Sequence, residues 1–202
     1  MLPLDILLVG IYVAAELVSN VTASKVVTVA GLTVPAAVFL YALTFTLVDL
    51  INTRLGKHGA RAVIWTAVAA NLLLVLYGQF TIALPAAAFW QGQEGYAGVL
   101  GSSSRIVAAS LIAFVVAGYV DTEVFARWRA RFGNRHLWGR VLSSNALSLA
   151  LDTVLFISIA FAGTGAPLLS LMLGQYAVKL AVTVVSLPLI YAVRPAARMG
   201  AA

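Results

Sequence analysis

Long apolar stretches broken by short polar segments run through the whole chain. Six of them, 4–29, 32–52, 62–84, 105–126, 141–163 and 168–193, are long enough to cross a bilayer as helices. Crossing roughly 30 Å of hydrocarbon takes about 20 residues. The third stretch, Ala62 to Leu84, holds no charged residue. A membrane barrel would instead show alternating segments of about ten residues, so helices are the expected element. Scattered Gly, Ala and Ser suit close packing between them. The pattern predicts an all-α integral membrane bundle of six transmembrane helices, forming one domain over 1–202. The first stretch has no basic leader and is too long for a signal peptide, so it is expected to remain as span one. Residues 30–33 (Ala-Gly-Leu-Thr) are expected to make a tight turn between the first two helices. The segment 85–104 reads as a longer connection whose Phe89, Trp90 and Tyr96 suit interface anchors or a lid.

Composition strengthens this picture. Of 202 residues, 62% are hydrophobic and only 10% are charged, too few to coat a soluble domain. The mean hydropathy is +0.99. With no cysteine, neither a disulfide nor a thiolate metal site is available. The formal charge of +6 would suggest an anionic partner in a soluble protein, but here the positions of the charges decide. Ten of the thirteen basic residues fall in alternate segments: Arg54, Lys57 and Arg61; Arg127, Arg129, Arg131, Arg135 and Arg140; Arg194 and Arg198. Basic loops stay on the cytoplasmic side, so both termini are expected to be cytoplasmic, in a multi-pass inner-membrane protein. This topogenic reading leaves no role for nucleic acid.

Ionisable side chains cost roughly 2.5–3.5 kcal/mol each at the centre of a spanning helix, so they face a partner or a cavity. Span one carries Glu16 near its middle, with Tyr12, Asn20 and Ser24 on the same face. Lys25, further along, reads as a snorkelling lysine. Asp152 falls near the middle of span five, with Asn145 and Ser148 on its face. Lys179 falls near the middle of span six, with Gln175 one turn away. Three mid-depth charges from three helices predict a shared interior site, against the competing reading of a buried ion pair that only locks helices together. Asp49, Asp121 and Glu123 lie near span ends, where pairing with Arg54 or Arg127 accounts for them. Asn71 and Gln79 suit bonds between neighbouring helices.

Signatures of enzymes are missing from the sequence. His58 and His136 have no metal-ligand spacing, there is no phosphate-binding glycine loop, and no serine has an ordinary base in reach. No cofactor or metal is expected.

Several runs together carry a resemblance. They are Glu16 to Lys25 (ELVSNVTASK), Leu43 to Asn52 (LTFTLVDLIN) with Gly56 and Arg61, and Phe89-Trp90 with Gln93-Glu94. Further along come Arg105-Ile106-Val107 with Ala109 to Ala113, Leu151 to Phe156 with Ile159-Ala160-Phe161, and Lys179-Leu180 with Pro188. In this order the chain resembles the queuosine precursor transporter family, also filed as vitamin-uptake-like transporters. The resemblance implies a six-helix inner-membrane importer of 7-deazaguanine bases, 7-cyano-7-deazaguanine (preQ0) or its 7-aminomethyl relative. It also implies a fold similar to the substrate-binding subunits of energy-coupling-factor transporters, working without their ATPase. Gly118, Leu149 and Ser186 stand where that family carries polar residues.

A deazaguanine offers a ring N–H and an exocyclic amine beside one carbonyl. A carboxylate can accept from both donors, and an ammonium or amide can donate to the carbonyl. Glu16 or Asp152 fits the first role, and Lys179, Asn20 or Gln175 the second. Phe45, Phe89 or Trp90 could stack on the ring. With Asn145, these nine residues are the candidate substrate site. Proton coupling and facilitated diffusion both stay open, as does homo-oligomerisation. Two rivals remain at this stage. One is a binding subunit docking on an ATP-driven module through Gly10, Ala14, Ala15, Ser19 and Ala23. The other is a structural membrane protein.

Overall fold

The computed structural model describes residues 3–132 and 137–192; the side chains at 49, 52, 53, 57, 118, 119, 121–145 and 186–192 lie outside that description. The described residues form five helices and one two-stranded hairpin. Helix α1 (Pro3–Thr22) opens on a proline, whose missing N–H would have had no partner in the first turn anyway. It ends short of the expected boundary at 29. Thr22 Oγ1 donates to the Val18 carbonyl (2.7 Å) and Ser24 Oγ to that of Val21 (2.9 Å), using carbonyls that the helix end leaves over.

The chain then turns into strands β1 (Val26–Val29) and β2 (Leu32–Pro35), paired antiparallel with Val29 opposite Leu32. Both central turn residues have positive φ, Ala30 at 50° and Gly31 at 80°, as a tight hairpin of right-handed strands requires. This corrects the expectation of helix up to 29 and again from 32. Counting apolar residues cannot tell a membrane helix from two short β-branched strands in the same run. Lys25 lies exposed just before β1.

Helix α2 (Val38–Ala83) contains expected spans two and three, and also the segment between them. It breaks at Gly56, where φ 70° and ψ 177° are not helical. Helix α3 (Gln93–Phe132) starts inside what the sequence suggested was a loop, so only 84–92 remains as a connection. Glu94 in its first turn suits the positive end of the helix dipole. Gln93 Nε2 donates to the Ile82 carbonyl (3.0 Å) and Tyr96 Oη to Thr81 Oγ1 (2.7 Å), which ties that start to the end of α2. Helices α4 (Leu137–Phe161) and α5 (Leu168–Ala192) follow.

Among the described residues, four helical stretches are long and apolar enough to cross a membrane: Pro3–Thr22, His58–Ala83, Gln93–Ala117 and Leu168–Val185. Two shorter apolar stretches, Val38–Val48 and Ala146–Phe161, accompany them. Large apolar side chains such as Trp65, Leu73 and Leu76 stand exposed on their outer faces, which suits a lipid surround.

Helix α1 packs along α2, α3 along α4, and α5 touches both α2 and β2. The close seat of β2 on α5 needs Gly174: a Cβ there would stand 2.8 Å from Val34 Cγ1 and closer still to the Thr33 carbonyl oxygen. Across the other side, Arg105 donates from Nε to the Ile159 carbonyl (2.6 Å) and from Nη2 to that of Ala162 (2.5 Å), capping the end of α4. Two apolar clusters result. One joins Ala23, Ala37, Ile106, Ala109, Ile157, Ala160, Phe161 and Leu171 near the hairpin. The other joins Tyr12, Ile51, Ala60, Val63 and Ala67 near the Gly56 end. Beyond it, Asp5 accepts from Arg54 Nε (2.6 Å). The side chains of Asp49, Asp121 and Glu123 lie outside the described residues.

Gly56→Ala should lower the melting temperature of the detergent-solubilised protein by an amount equivalent to about 1–3 kcal/mol, because a side chain is strained in that backbone region. Nothing lies within 4 Å of the added Cβ, so the loss reports the backbone alone. An unchanged melting temperature would mean that the break is not held in this conformation.

Candidate functional site

Between the two apolar clusters, every helix contributes polar residues at the same depth: Ser19 and Asn20 from α1, Thr44 and Asn71 from the two arms of α2, Ser110 from α3, Asp152 from α4, Gln175 and Lys179 from α5. All of these are buried. The layer is built from short steps along each helix, and small neighbours such as Ala15, Ala67, Ala109 and Ala113 let the backbones come close.

The central interaction is an ion pair. Lys179, only 1% exposed, donates from Nζ to Asp152 Oδ2. The same ammonium lies 5.1 Å from the Tyr41 ring centroid and 5.9 Å from that of Phe45, and these two rings meet edge to face at 5.6 Å. A desolvated ammonium gains from such ring faces. Asn20 Nδ2 donates to Asn71 Oδ1 (2.8 Å), and Asn71 Nδ2 donates in turn to the Ala67 carbonyl (2.9 Å). These bonds leave the Asn20 carbonyl oxygen and two ammonium protons of Lys179 for other partners. Gln175, 3% exposed, makes no side-chain hydrogen bond to a described residue.

Two cavities open in this layer. The first is a narrow cleft on the hairpin side. Ser19, Asn20, Gln175 and Lys179 supply its polar wall, and Tyr41, Phe156 and Val38 its apolar one, with Ala23, Pro35 and Ala37 toward the hairpin. The second, also narrow, is lined by Tyr12, Glu16, Asn71, Ile64, Ala67, Val68, Leu111 and Phe114. Tyr41 and Ser110 line both, and their hydroxyls lie 3.3 Å apart. That hydrogen bond is therefore part of the partition between the chambers. Glu16 sits beside the Thr44 hydroxyl, close enough to feel the charges of Asp152 and Lys179.

Of the nine residues singled out from sequence, Asn20, Gln175 and Lys179 share the first cavity. Asp152 stands behind Lys179, Phe45 stacks near it, and Glu16 faces the second cavity. Phe89 and Trp90 are not brought to this layer. They line a separate open groove of about 630 Å³ with Leu84, Pro85, Gln93 and Tyr96, and Phe89 is 88% exposed. The side chain of Asn145 lies outside the described residues, as do those at Gly118 and Ser186. Sequence reasoning passed over Tyr41, Ser110 and Phe156, and counted Ser19 only as a small residue. Nothing in the chain separates these from dozens of similar residues until the helices are docked. Asn71 and Gln79 do bond neighbouring helices, Gln79 through Ser104 Oγ at 2.9 Å. The small-residue stripe expected to dock a partner is divided: Gly10 and Ala14 are exposed, but Ala15, Ser19 and Ala23 are buried inside the bundle.

The family described as "Putative vitamin uptake transporter" matches residues 35–193. A Bacillus subtilis (strain 168) protein named "Probable queuosine precursor transporter" is 29% identical over 183 residues, which is 89% of this chain and 80% of that relative. No solved structure matches the chain.

The ion pair makes a direct prediction. Lys179→Met or Asp152→Leu alone should lower thermal stability strongly, by about 3–5 kcal/mol, since each strands a buried charge. The double variant should recover most of that loss. Melting curves of the three variants in one detergent check it; a double variant no better than the singles would mean the two charges do not compensate each other.

Proposed function

We propose that this chain, which belongs to the vitamin uptake transporter family, imports a neutral 7-deazaguanine base such as preQ0 through the two chambers of its polar layer. Family membership makes the protein a multi-pass membrane transporter and not an enzyme, and it removes the purely structural reading. The observation that carries the finer reading is the first cavity: a narrow chamber inside apolar helices whose wall combines an ammonium, two amides and aromatic rings.

The recognition chemistry follows from that wall. Lys179 donates to the base carbonyl, while Asn20 and Gln175 offer amide groups to the ring N–H and exocyclic amine. Tyr41 and Phe156 flank the flat ring. Asp152 acts through Lys179, holding the ammonium in place beside the cavity. Past the Tyr41–Ser110 bond, Glu16 offers a carboxylate with two oxygens for the same pair of donors. Transport is then the transfer of the base from the amide-lined chamber to the carboxylate-lined one as Tyr41 swings aside. A wrong base leaves buried groups unpaired at both stations, which is a strong basis for selectivity.

The topology proposed with this mechanism is a single domain of six passages. The two arms of α2 on either side of Gly56 count separately, and the hairpin lies at the outer end. The alternation of basic segments supports cytoplasmic termini and an inner-membrane location. Asp152 and Lys179 cancel, so Glu16 is the charge left to vary, and we assign it proton coupling. The buried course of Ala15, Ser19 and Ala23 supports a transporter that works without an ATPase module.

Purified protein in liposomes should take up radiolabelled preQ0 with no other protein present. Lys179→Met combined with Asp152→Leu should retain the fold and bind at least about tenfold more weakly, as expected for a lost charged hydrogen bond. Glu16→Gln should still bind but lose the dependence of accumulation on the pH gradient. Failure of the isolated protein to transport would overturn autonomy, and unchanged accumulation after the wild-type gradient is collapsed would overturn proton coupling.

A further inference from the structure

Hydroxyls inside apolar helices ordinarily turn back to their own helix. Thr44 donates to the Tyr41 carbonyl (2.7 Å), Thr66 to Ala62 (2.9 Å), Thr81 to Gly78 (2.9 Å), Ser103 to Val99 (3.0 Å) and Thr183 to Lys179 (2.8 Å). Even in α1, Thr22 bonds Val18. Among the described residues, Ser19 and Thr153 do not: each is 1% exposed and its hydroxyl has no hydrogen-bond partner. Of the two, only Ser19 forms part of the wall of the first cavity. A buried hydroxyl without a partner costs about 1–3 kcal/mol, and a bond to a carbonyl one turn back would have relieved it. The polar groups nearest it in sequence and in the cavity wall, Asn20, Gln175 and Lys179, are those with bonding capacity left over.

We infer that Ser19 is a specificity-determining residue of the transporter, whose hydroxyl is held unpaired so that it can bond a polar group on the rim of the bound heterocycle. This rests on reading the first cavity as the ligand chamber. The wall contains no carboxylate, and its one charged group, the Lys179 ammonium, is already neutralised by Asp152 behind it. The ligand that completes it is therefore uncharged, with both donors and acceptors on its rim. A cationic substituent placed in this chamber would meet an ammonium, and the nearest carboxylate is already engaged. Ser19 provides what the amides lack: a group that donates or accepts as the ligand requires, without another side chain having to move.

The two explanations of an orphaned hydroxyl differ in sign. Ser19→Ala removes the unpaired group at little change of volume, so the ligand-free protein should melt at the same temperature or higher. The same variant should bind preQ0 about tenfold more weakly, the equivalent of one lost hydrogen bond of about 1.4 kcal/mol. Ser19→Thr, which keeps the hydroxyl, should restore part of the affinity. Binding is read as the thermal shift across a concentration series of preQ0, 7-deazaguanine (without the nitrile) and the preQ0 analogue without the 2-amino group. One of these two analogues should bind wild type and Ser19→Ala alike, which identifies the group that Ser19 holds. Equal preQ0 affinity in wild type and Ser19→Ala would overturn the role of Ser19 and leave the chamber reading standing. If none of the three bases nor guanine shifts the wild-type melt, the chamber reading falls, and Ser19's role with it.

Discussion

A lysine ammonium enclosed by apolar helices is stable only if its charge is answered where it sits. Lys179 meets that condition through Asp152 on the neighbouring helix and through the faces of Tyr41 and Phe45 on α2. The pair makes α4, α5 and the first arm of α2 mutually dependent: moving any one of them uncovers a charge. Such pairs are poor sources of net stability, since desolvation offsets most of the attraction. Their value here lies in what remains unbonded, namely ammonium protons directed into a cavity.

Around this pair the helices separate apolar and polar depth. Alanine-rich clusters close the bundle toward the hairpin and toward Gly56, and the polar side chains are confined between them. Confinement strengthens each hydrogen bond within the layer, because little water is present to compete. It also makes unpaired groups expensive; Ser19 is one, and Asn20 and Gln175 keep bonding capacity on the same cavity wall. The β-hairpin completes the enclosure. It lies on α5 at Gly174, one residue from Gln175, and its end supplies Pro35 and Ala37 to the cavity.

The two chambers that meet at the Tyr41–Ser110 bond differ in charge. The hairpin-side chamber carries an ammonium and amides, and the other carries Glu16. Tyr41 belongs to both chambers, and its ring lies 5.1 Å from the Lys179 ammonium, so it touches both cavities and the ion pair.

Much of this was legible in the chain. Apolar length alone identified a membrane bundle, because hydrocarbon imposes a minimum on any helix that spans it. Mid-depth Glu16, Asp152 and Lys179 stood out because charge in that setting demands a partner, and the family was evident from the runs around them. The strands at 26–35 were not legible, since β-branched apolar residues satisfy a hydropathy count in either conformation. The early start of α3 was hidden by glycines and serines that read as loop. Phe89 and Trp90 line a separate groove, away from the buried polar residues. Only the docked helices decided that Asp152 pairs with Lys179, that Glu16 faces a second chamber, and that the Ser19 hydroxyl is left unpaired at a cavity wall. Periodicity states which residues share a face of one helix, but partner and depth arise from packing between helices, where residues more than a hundred positions apart come into contact.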